Sequence, residues 1–82
     1  MVLVKFMNLL RSKYNIKSFE CPAKDMQAVL EYIKKTYPQV RFEDLYQAIL
    51  FINQEKVSHR KRFETPLKPG DIVVFTNFVG GG

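Results

Sequence analysis

The residues with the clearest potential for chemistry are the last three, Gly80, Gly81 and Gly82, which follow the segment VVFTNFV. Glycine has no side chain, so the group available for a reaction is the α-carboxylate of Gly82. Glycine adopts almost any backbone conformation, so these residues have little tendency to hold a fixed shape. A chemically active terminus is one interpretation of the three glycines. A frayed end and a cloning remnant are the alternative interpretations of these residues.

The other side chains offer little for catalysis or metal binding. Cys21 is the only cysteine and His59 the only histidine. The sequence therefore predicts no internal disulfide and no multi-cysteine metal site. Cys21 is expected to be a small buried residue and His59 a surface residue. The glycine run opens no helix, so it is not a phosphate-binding loop, and we expect no bound cofactor and no metal.

Length and composition point to one small domain. The chain has 82 residues, of which 46% are hydrophobic and 26% charged, with a net charge of +5. No apolar run approaches the roughly 20 residues of a membrane helix, and no signal peptide is recognisable. These features predict a cytoplasmic protein without a membrane partner.

The basic run HRKR at 59–62 has two interpretations. It could attract nucleic acid or an acidic protein, or it could be a solvated loop. Nucleic-acid binding usually combines basic residues with several stacking aromatics. Here the run adjoins one aromatic, Phe63, so a nucleic-acid partner is not expected. Lys34, Lys35 and the 60–62 run could instead attract acidic patches on protein partners.

Hydrophobic spacing predicts the order of the elements. Val2, Val4 and Phe6 alternate onto one face of a first strand, and Pro22 ends the second strand. Asp25 is expected to cap a helix that stops near Tyr37, before Pro38. The expected elements are a strand at 2–10, a turn at 11–15, a strand at 16–21, a helix at 25–37, and strands at 45–53, 56–58 and 72–78.

This order predicts an α+β domain of the β-grasp type. We expect a mixed four- to five-stranded sheet with one main helix packed across it and the last strand parallel to the first. Residues 1–79 would form this single domain, and residues 80–82 a flexible glycine tail. The expected core combines the apolar stripe of the helix with four strand residues, Val4, Phe6, Val73 and Phe75.

Five segments, taken in order, carry a family resemblance. They are VKFMNLLR at 4–11, TYP at 36–38, INQEKV at 52–57, TPLKPGD at 65–71 and DIVVFTNFVGGG at 71–82. Together they resemble the ubiquitin-like sulfur carriers of the MoaD/ThiS superfamily, most of all the MoaD-type small subunit of molybdopterin synthase. The chain departs from that pattern in three places. Gln54 stands where the family has glycine, Asn77 and Phe78 replace a proline pair, and Gly80 is an additional glycine.

The resemblance implies a carrier that is not an enzyme by itself. An adenylyltransferase would use ATP to adenylate the Gly82 carboxylate, with Gly81 beside it, and sulfur would then displace AMP to leave a thiocarboxylate. In the MoaD case the large subunit of molybdopterin synthase receives this sulfur. The residues expected to contact partners are Gly80, Val79 and Phe78 in the tail and Thr76, Val74 and Ile72 on the outward face of the last strand.

That outward face follows from the alternation of the strand, since Ile72, Val74 and Thr76 alternate with the core residues. An exposed apolar face predicts a partner interface, unless the chain's own loops cover it. Other functions stay open at this point. The same terminus would serve a protein modifier that forms isopeptide bonds, or a carrier for thiamine synthesis or tRNA thiolation. The basic run and the LKPGD turn also fit an RNA-binding module resembling TGS domains.

Overall fold

The protein is described here from a computed structural model, which covers residues 1–58 and 61–77, apart from the side chain of Arg62. The described chain contains five strands, three α-helices and one short 3-10 helix. The elements are β1 (Val2–Phe6), α1 (Asn8–Tyr14), β2 (Ser18–Cys21), α2 (Met26–Thr36), α3 (Phe42–Gln47), β3 (Ile49–Ile52), β4 (Glu55–Val57), a 3-10 helix (Arg62–Glu64) and β5 (Ile72–Thr76).

The described strands form one mixed sheet with the order β2-β1-β5-β3-β4. The first and last strands are parallel neighbours at its centre, with Val4 opposite Val73. The outer strands pair antiparallel, β2 against β1, β3 against β5 and β4 against β3. The β-grasp prediction is therefore confirmed, and the sheet has the upper number of strands that the sequence predicted.

Helix α2 covers the inner face of the sheet. Its N-terminus is capped as predicted, because Asp25 Oδ1 accepts a hydrogen bond of 2.8 Å from the backbone N–H of Ala28. Its apolar stripe is buried against the strand residues predicted for the core, and the rings of Phe6 and Phe75 meet edge to face at 5.8 Å. The fully buried residues of this core include Val4, Phe6, Met26, Val29, Ile33, Val73 and Phe75.

The predicted strand at 2–10 and turn at 11–15 were wrong in part. The strand ends at Phe6, and residues 8–14 form helix α1. Asn8 has a φ of 58°, which interrupts the extended backbone. Leu10 is buried and Leu9 is exposed, which is also what strand alternation would give, so burial alone did not reveal the helix. Asn15 ends the helix in the left-handed conformation, a common C-terminal signal.

The predicted strand at 45–53 was also wrong in its first half. Residues 42–47, expected to be a connector and the start of that strand, form helix α3, and strand β3 begins only at Ile49. Glu43 and Asp44 lie in the first turn of α3, where negative charge is favourable. Asp44 also ties this helix to α1 by accepting hydrogen bonds from Lys13 Nζ and from the hydroxyl of Tyr14.

The turn between β3 and β4 contains an unusual residue. Asn53 and Gln54 have φ angles of 51° and 72°, so both central residues of this tight hairpin lie in the left-handed region. Such a turn favours asparagine followed by glycine. Holding a residue with a side chain in this conformation costs about 1–2 kcal/mol.

We expect Gln54→Gly to raise the free energy of unfolding by about 0.5–1 kcal/mol, since the removed strain exceeds the added flexibility of the unfolded chain. Urea unfolding of both proteins measures this difference. Glu55→Gly, one residue later in β4, is the matched control and should destabilise the protein, because glycine weakens a strand. Equal losses in both variants would contradict the assignment of strain to Gln54.

Candidate functional site

The tail residues predicted to carry the chemistry, Gly82 and Gly81, lie outside the described residues. The same holds for three predicted partner contacts, Gly80, Val79 and Phe78. Strand β5 leads directly towards them and ends at Thr76. The part of the candidate site that the structure describes is therefore the face of the sheet around β5.

The outward side chains of β5 are accessible. Ile72 is 40% exposed, and Val74 and Thr76 are half-buried. Val73 and Phe75, between them, are fully buried on the opposite face. Helix α2 packs against that opposite face, so it does not cover the outward one.

Neighbouring strands extend this surface with residues that the sequence analysis did not select. Phe51 in β3 stands opposite Val74, and Lys5 in β1 is the partner of Val74 on the other side. With Met7 and Gln54 they surround a shallow depression of about 390 Å³. We call this surface the outer sheet face and define it by Leu3, Lys5, Met7, Phe51, Ile72 and Val74.

A signal for these additional residues was present in the sequence. The alternation of Val2, Val4 and Phe6 leaves the odd-numbered residues of the first strand on its other face, and the predicted parallel pairing puts that strand beside β5. The alternation and the parallel pairing together would have placed Met7 on this surface. Phe51 could be assigned to this surface only from the register of β3 against β5. The predicted start of β3 was wrong, so that register could not be obtained from the sequence.

The start of β5 is held by a hydrogen-bond network between Asp71 and Asn53. The Asn53 amide donates from Nδ2 to Asp71 Oδ1 at 2.9 Å and accepts through Oδ1 from the backbone N–H of Ile72 at 2.9 Å. The other oxygen of Asp71 accepts from the backbone N–H of Lys68 at 2.8 Å. Gly70, with a φ of 89°, makes the preceding turn. The Gly-Asp turn thus fixes where Ile72 enters the sheet.

This network gives Asp71 a pH-dependent role. The hydrogen bond from Lys68, followed by that from Asn53, lowers the pKa of Asp71 below its usual value. A carboxylate with a lowered folded-state pKa contributes stability above its unfolded pKa of about 3.9 and loses that contribution as the pH falls through the folded pKa.

We therefore expect Asp71→Asn to be less stable than the natural chain at neutral pH and the difference to shrink towards about pH 3. Urea unfolding of both proteins at the two pH values measures it. Asp44, whose pKa is lowered by its hydrogen bonds to Lys13 and Tyr14, is present in both proteins, so its own acid sensitivity cancels. A difference that stays constant with pH would contradict the role given to the Asp71 charge.

The C-terminal end of β5 is also tied down. Asn8 Nδ2 donates a hydrogen bond of 2.5 Å to Thr76 Oγ1, and the backbone N–H of Met7 donates to the carbonyl of Phe75 at 3.0 Å. The hydroxyl of Thr76 is therefore already engaged within the chain. Of the three strand residues predicted to contact partners, Ile72 and Val74 offer the more accessible apolar surface.

The remaining candidates for chemistry lie elsewhere or are shielded. Cys21 is fully buried, as expected, and this burial raises the pKa of its thiol. His59 lies outside the described residues. Within the described ranges, no three His, Cys, Asp or Glu side chains are grouped to hold a metal ion. None of the helices in those ranges is both long and apolar enough to cross a membrane.

Solved structures share this fold over nearly their full lengths. A chain of the complex of subunits 1 and 2 of molybdopterin-converting factor from Helicobacter pylori 26695 is 22% identical, with a TM-score of 0.73, and the alignment covers 99% of this chain and 97% of that one. The small archaeal modifier protein 1 from Methanosarcina acetivorans is 21% identical, with a TM-score of 0.79 and coverages of 99% and 95%. A chain of the BexX/CysO complex from Amycolatopsis orientalis is 22% identical, with a TM-score of 0.75 and full coverage of both, 100% and 100%.

Sequence comparison identifies the family of this chain, whereas the solved structures show its fold. Curated protein sequences gave no significant match. The ThiS family matches residues 4–82, a segment that includes the terminal glycines and all of the outer sheet face except Leu3. Because this match spans nearly the entire sequence, the chain belongs to the ThiS family of small ubiquitin-like sulfur carriers, which work with partner enzymes and are not catalysts themselves.

Proposed function

We propose that this chain carries sulfur on the α-carboxylate of Gly82 and delivers it in molybdopterin synthesis as the small subunit of the synthase. The observation that carries the proposal is the outer sheet face. Its central strand, β5, displays Ile72 and Val74 and leads towards Gly81 and Gly82. A rigid apolar surface next to a terminal glycine pair suits a carrier that docks on an enzyme and inserts its end.

The proposed reaction has two steps. A carboxylate oxygen of Gly82 attacks the α-phosphorus of ATP on a partner adenylyltransferase, which forms an acyl-adenylate and releases pyrophosphate. A sulfur nucleophile from a donor then attacks the carbonyl carbon and displaces AMP, which leaves a thiocarboxylate. The partner supplies the acid and base groups for both steps, and this chain supplies the reacting carbonyl. Gly82 leaves that carbonyl without a neighbouring side chain, so both attacks have room to approach.

Docking on the outer sheet face compensates for the ordering of the tail. Restricting the backbone of one residue costs about 1–2 kcal/mol, so a glycine tail that enters a channel needs a favourable contact elsewhere. Burial of the part of Ile72 that is still exposed, 40% of the residue, contributes roughly 0.6–1.2 kcal/mol, and the half-buried Phe51 adds a similar partial contribution. Lys5 and Lys56 at the edge of this face add positive charge, which favours a partner with acidic residues around an apolar centre.

Transfer of the sulfur tests the molybdopterin assignment. The thiocarboxylated chain is mixed with a purified large subunit of molybdopterin synthase and the pyranopterin precursor, and intact mass is followed. We expect the carrier to lose about 16 mass units as –COSH returns to –COOH, together with formation of a dithiolene product. A thiocarboxylate that persists with the large subunit, but is consumed by a thiamine or tRNA-thiolation system, would assign the chain to that other pathway.

A protein modifier is the second candidate, and the fold shared with the small archaeal modifier protein 1 favours it. A modifier would become linked through Gly82 to lysine side chains of other proteins. Incubation with ATP, an adenylating enzyme and a lysine-rich acceptor protein separates the two candidates. Covalent adducts heavier than the acceptor by one carrier chain would support the modifier.

A further inference from the structure

A small basic cleft adjoins the outer sheet face where β1 is followed by α1. It has a volume of about 210 Å³ and is lined by Lys5, Phe6, Met7, Arg11, Lys17 and Ser18. It shares Lys5 and Met7 with the depression on the outer sheet face, so the two surfaces are continuous. Pockets for drug-sized molecules have volumes of about 300–1,000 Å³. The cleft is smaller than these and suits individual side chains.

Three separate segments bring the cations of this cleft together. Lys5 belongs to β1 and stands opposite Ser18, the first residue of β2. The backbone carbonyl of Lys17 accepts a hydrogen bond of 3.0 Å from the backbone N–H of Phe6, which holds that lysine at the end of β1. Arg11 lies on α1, the helix that follows β1. The fold itself therefore fixes the positions from which the three cationic side chains extend.

The described part of the chain does not neutralise this positive charge. Lys5, Arg11 and Lys17 are exposed, and none of the described lining residues is acidic. The ion pairs found among the described residues involve other cations. Glu20 is the acidic residue of β1 and β2, and the strand register places it opposite Leu3 and not opposite Lys5. A ligand for this cleft must therefore supply negative charge.

The cleft lies at the end of the outer sheet face from which the chain continues towards Gly82. Strands β1 and β5 are parallel, and Lys5 stands beside Val74, near the end of β5. The backbone N–H of Met7 donates a hydrogen bond of 3.0 Å to the carbonyl of Phe75, which keeps the start of α1 next to the end of that strand. A partner that covers the outer sheet face and receives the tail must therefore border this cleft.

We propose that the cleft receives acidic side chains of the partner protein that docks on the outer sheet face, and that this contact fixes the orientation of docking. The proposal rests on the docking role proposed above and is independent of the pathway. An apolar sheet face alone permits several orientations, and its opposite side offers one cation, Lys56. Arg11 can hold a carboxylate through two parallel N–H groups, and Lys5 and Lys17 add point charges. Such pairs increase the association rate and exclude partners with basic residues at this position.

Other anionic occupants fit the cleft less well. Single-stranded RNA binds by stacking its bases on exposed aromatic rings, whereas Phe6, the ring that lines this cleft, is 1% exposed. A free phosphate would exchange its hydration for contacts with exposed side chains, which contribute little in water. A second copy of this chain carries the same net charge of +5, which opposes self-association. A protein segment with acidic residues next to apolar ones matches both the cations and the exposed Met7 and Ile72.

Defined peptides test the proposal on the full chain. The first peptide has ten residues, with two leucines near one end and two glutamates near the other. The second has glutamines in place of the glutamates, and the third has serines in place of the leucines. Binding is followed by NMR at about 0.1 M salt, where charges within about 10 Å still interact. We expect the first peptide to bind about fivefold more tightly than either of the others.

A nitroxide label on the peptide tests the orientation. With the label at the glutamate end, the amide signal of Arg11 should be broadened more than that of Lys56. With the label at the leucine end, the signal of Val74 should be broadened more than that of Arg11. Equal broadening at Arg11 and Lys56 by the glutamate-end label would contradict a fixed orientation.

Variants of the chain locate the binding. Arg11→Gln and Lys17→Gln should each weaken binding of the first peptide about threefold, and Arg11→Glu should remove its advantage over the second peptide. Lys24→Gln is the matched control, because it removes the same charge at an exposed lysine that does not line the cleft. Circular dichroism checks that each variant is folded. These measurements need neither ATP nor Gly82, so a failure of the cleft is distinguishable from a failure of sulfur carriage.

Three further results would overturn the proposal. One is equal affinity for the first and second peptides, or no NMR shifts at millimolar concentrations. Another is an equal loss of affinity in Arg11→Gln and Lys24→Gln, which would assign the effect to net charge. The third is tighter binding of inorganic phosphate, of an eight-nucleotide oligouridylate or of vesicles containing phosphatidylserine than of the first peptide, which would assign the cleft to that other anion.

Discussion

Deletion of Gly82 is expected to reduce thiocarboxylate formation at least 100-fold while leaving the fold intact. The shortened chain still ends in a glycine carboxylate, but that group is withdrawn by up to about 3.5 Å, the length of one extended residue. A misplacement of about 1 Å in a reacting group can already cost a factor of 100. Addition of one alanine after Gly82 should have a similar effect, because the carboxylate then lies beyond the reacting position. Intact mass after reaction with ATP, an adenylating enzyme and a sulfur donor measures the product.

Two controls separate chemistry from stability in this experiment. Gly80→Ala keeps the length of the chain and leaves Gly81 and Gly82 in place, so its loss should be much smaller than that of the deletion. The unfolding free energy of the shortened chain should stay within about 0.5 kcal/mol of the natural value, because the deletion removes no side chain. A shortened chain that is thiocarboxylated as efficiently as the natural one would refute the assignment of Gly82.

Ile72→Glu is expected to raise the KM for the carrier in the adenylation reaction at least tenfold, equivalent to about 1.4 kcal/mol of binding. The new carboxylate would be placed in the apolar centre of the outer sheet face, where a docked partner would exclude water from it. Its effect on folding should be modest, because Ile72 is 40% exposed and lies on the face opposite the core. Steady-state adenylation with varied carrier concentration gives KM and kcat separately.

The matched control is Leu9→Glu. It introduces the same charge at an exposed leucine that lies on α1 and does not belong to the outer sheet face. Its KM should remain within about twofold of the natural value. If both variants raise KM equally, the general addition of negative charge is responsible, and the docking role of Ile72 is wrong.

Much of the fold could be predicted from local patterns. Alternation defined the core residues Val4, Phe6, Val73 and Phe75, and the cap at Asp25 located the start of the main helix. The wrong predictions for residues 8–14 and 42–47 have one cause. Helices α1 and α3 are 7 and 6 residues long, which is too short for helical spacing to be recognised, so the apolar residues Leu9, Leu10 and Tyr46 were assigned to the neighbouring strands.

Of the candidate site, only the residues of β5 were predicted from the sequence. Ile72 and Val74 followed from the alternation of β5, since a strand buries every second side chain. Phe51 belongs to the same surface through cross-strand register, which a single sequence does not define. The contact of the Phe42 and Tyr46 rings with Phe63 could not be predicted either, because both lie at least 17 positions from Phe63 in the sequence and reach it only where α3 packs near the 3-10 helix.

Intact-mass measurement of the natural chain tests the central claim most directly. The protein is incubated with ATP, an adenylating enzyme that acts on ThiS-family carriers, and a sulfur donor, with omission of ATP as the control. A sulfur carrier gains about 16 mass units as –COOH becomes –COSH, and fragmentation places the gain on Gly82. An unchanged mass would contradict the claim, provided that the same enzyme modifies another carrier in the same assay. A mass gain located on Cys21 would also contradict it.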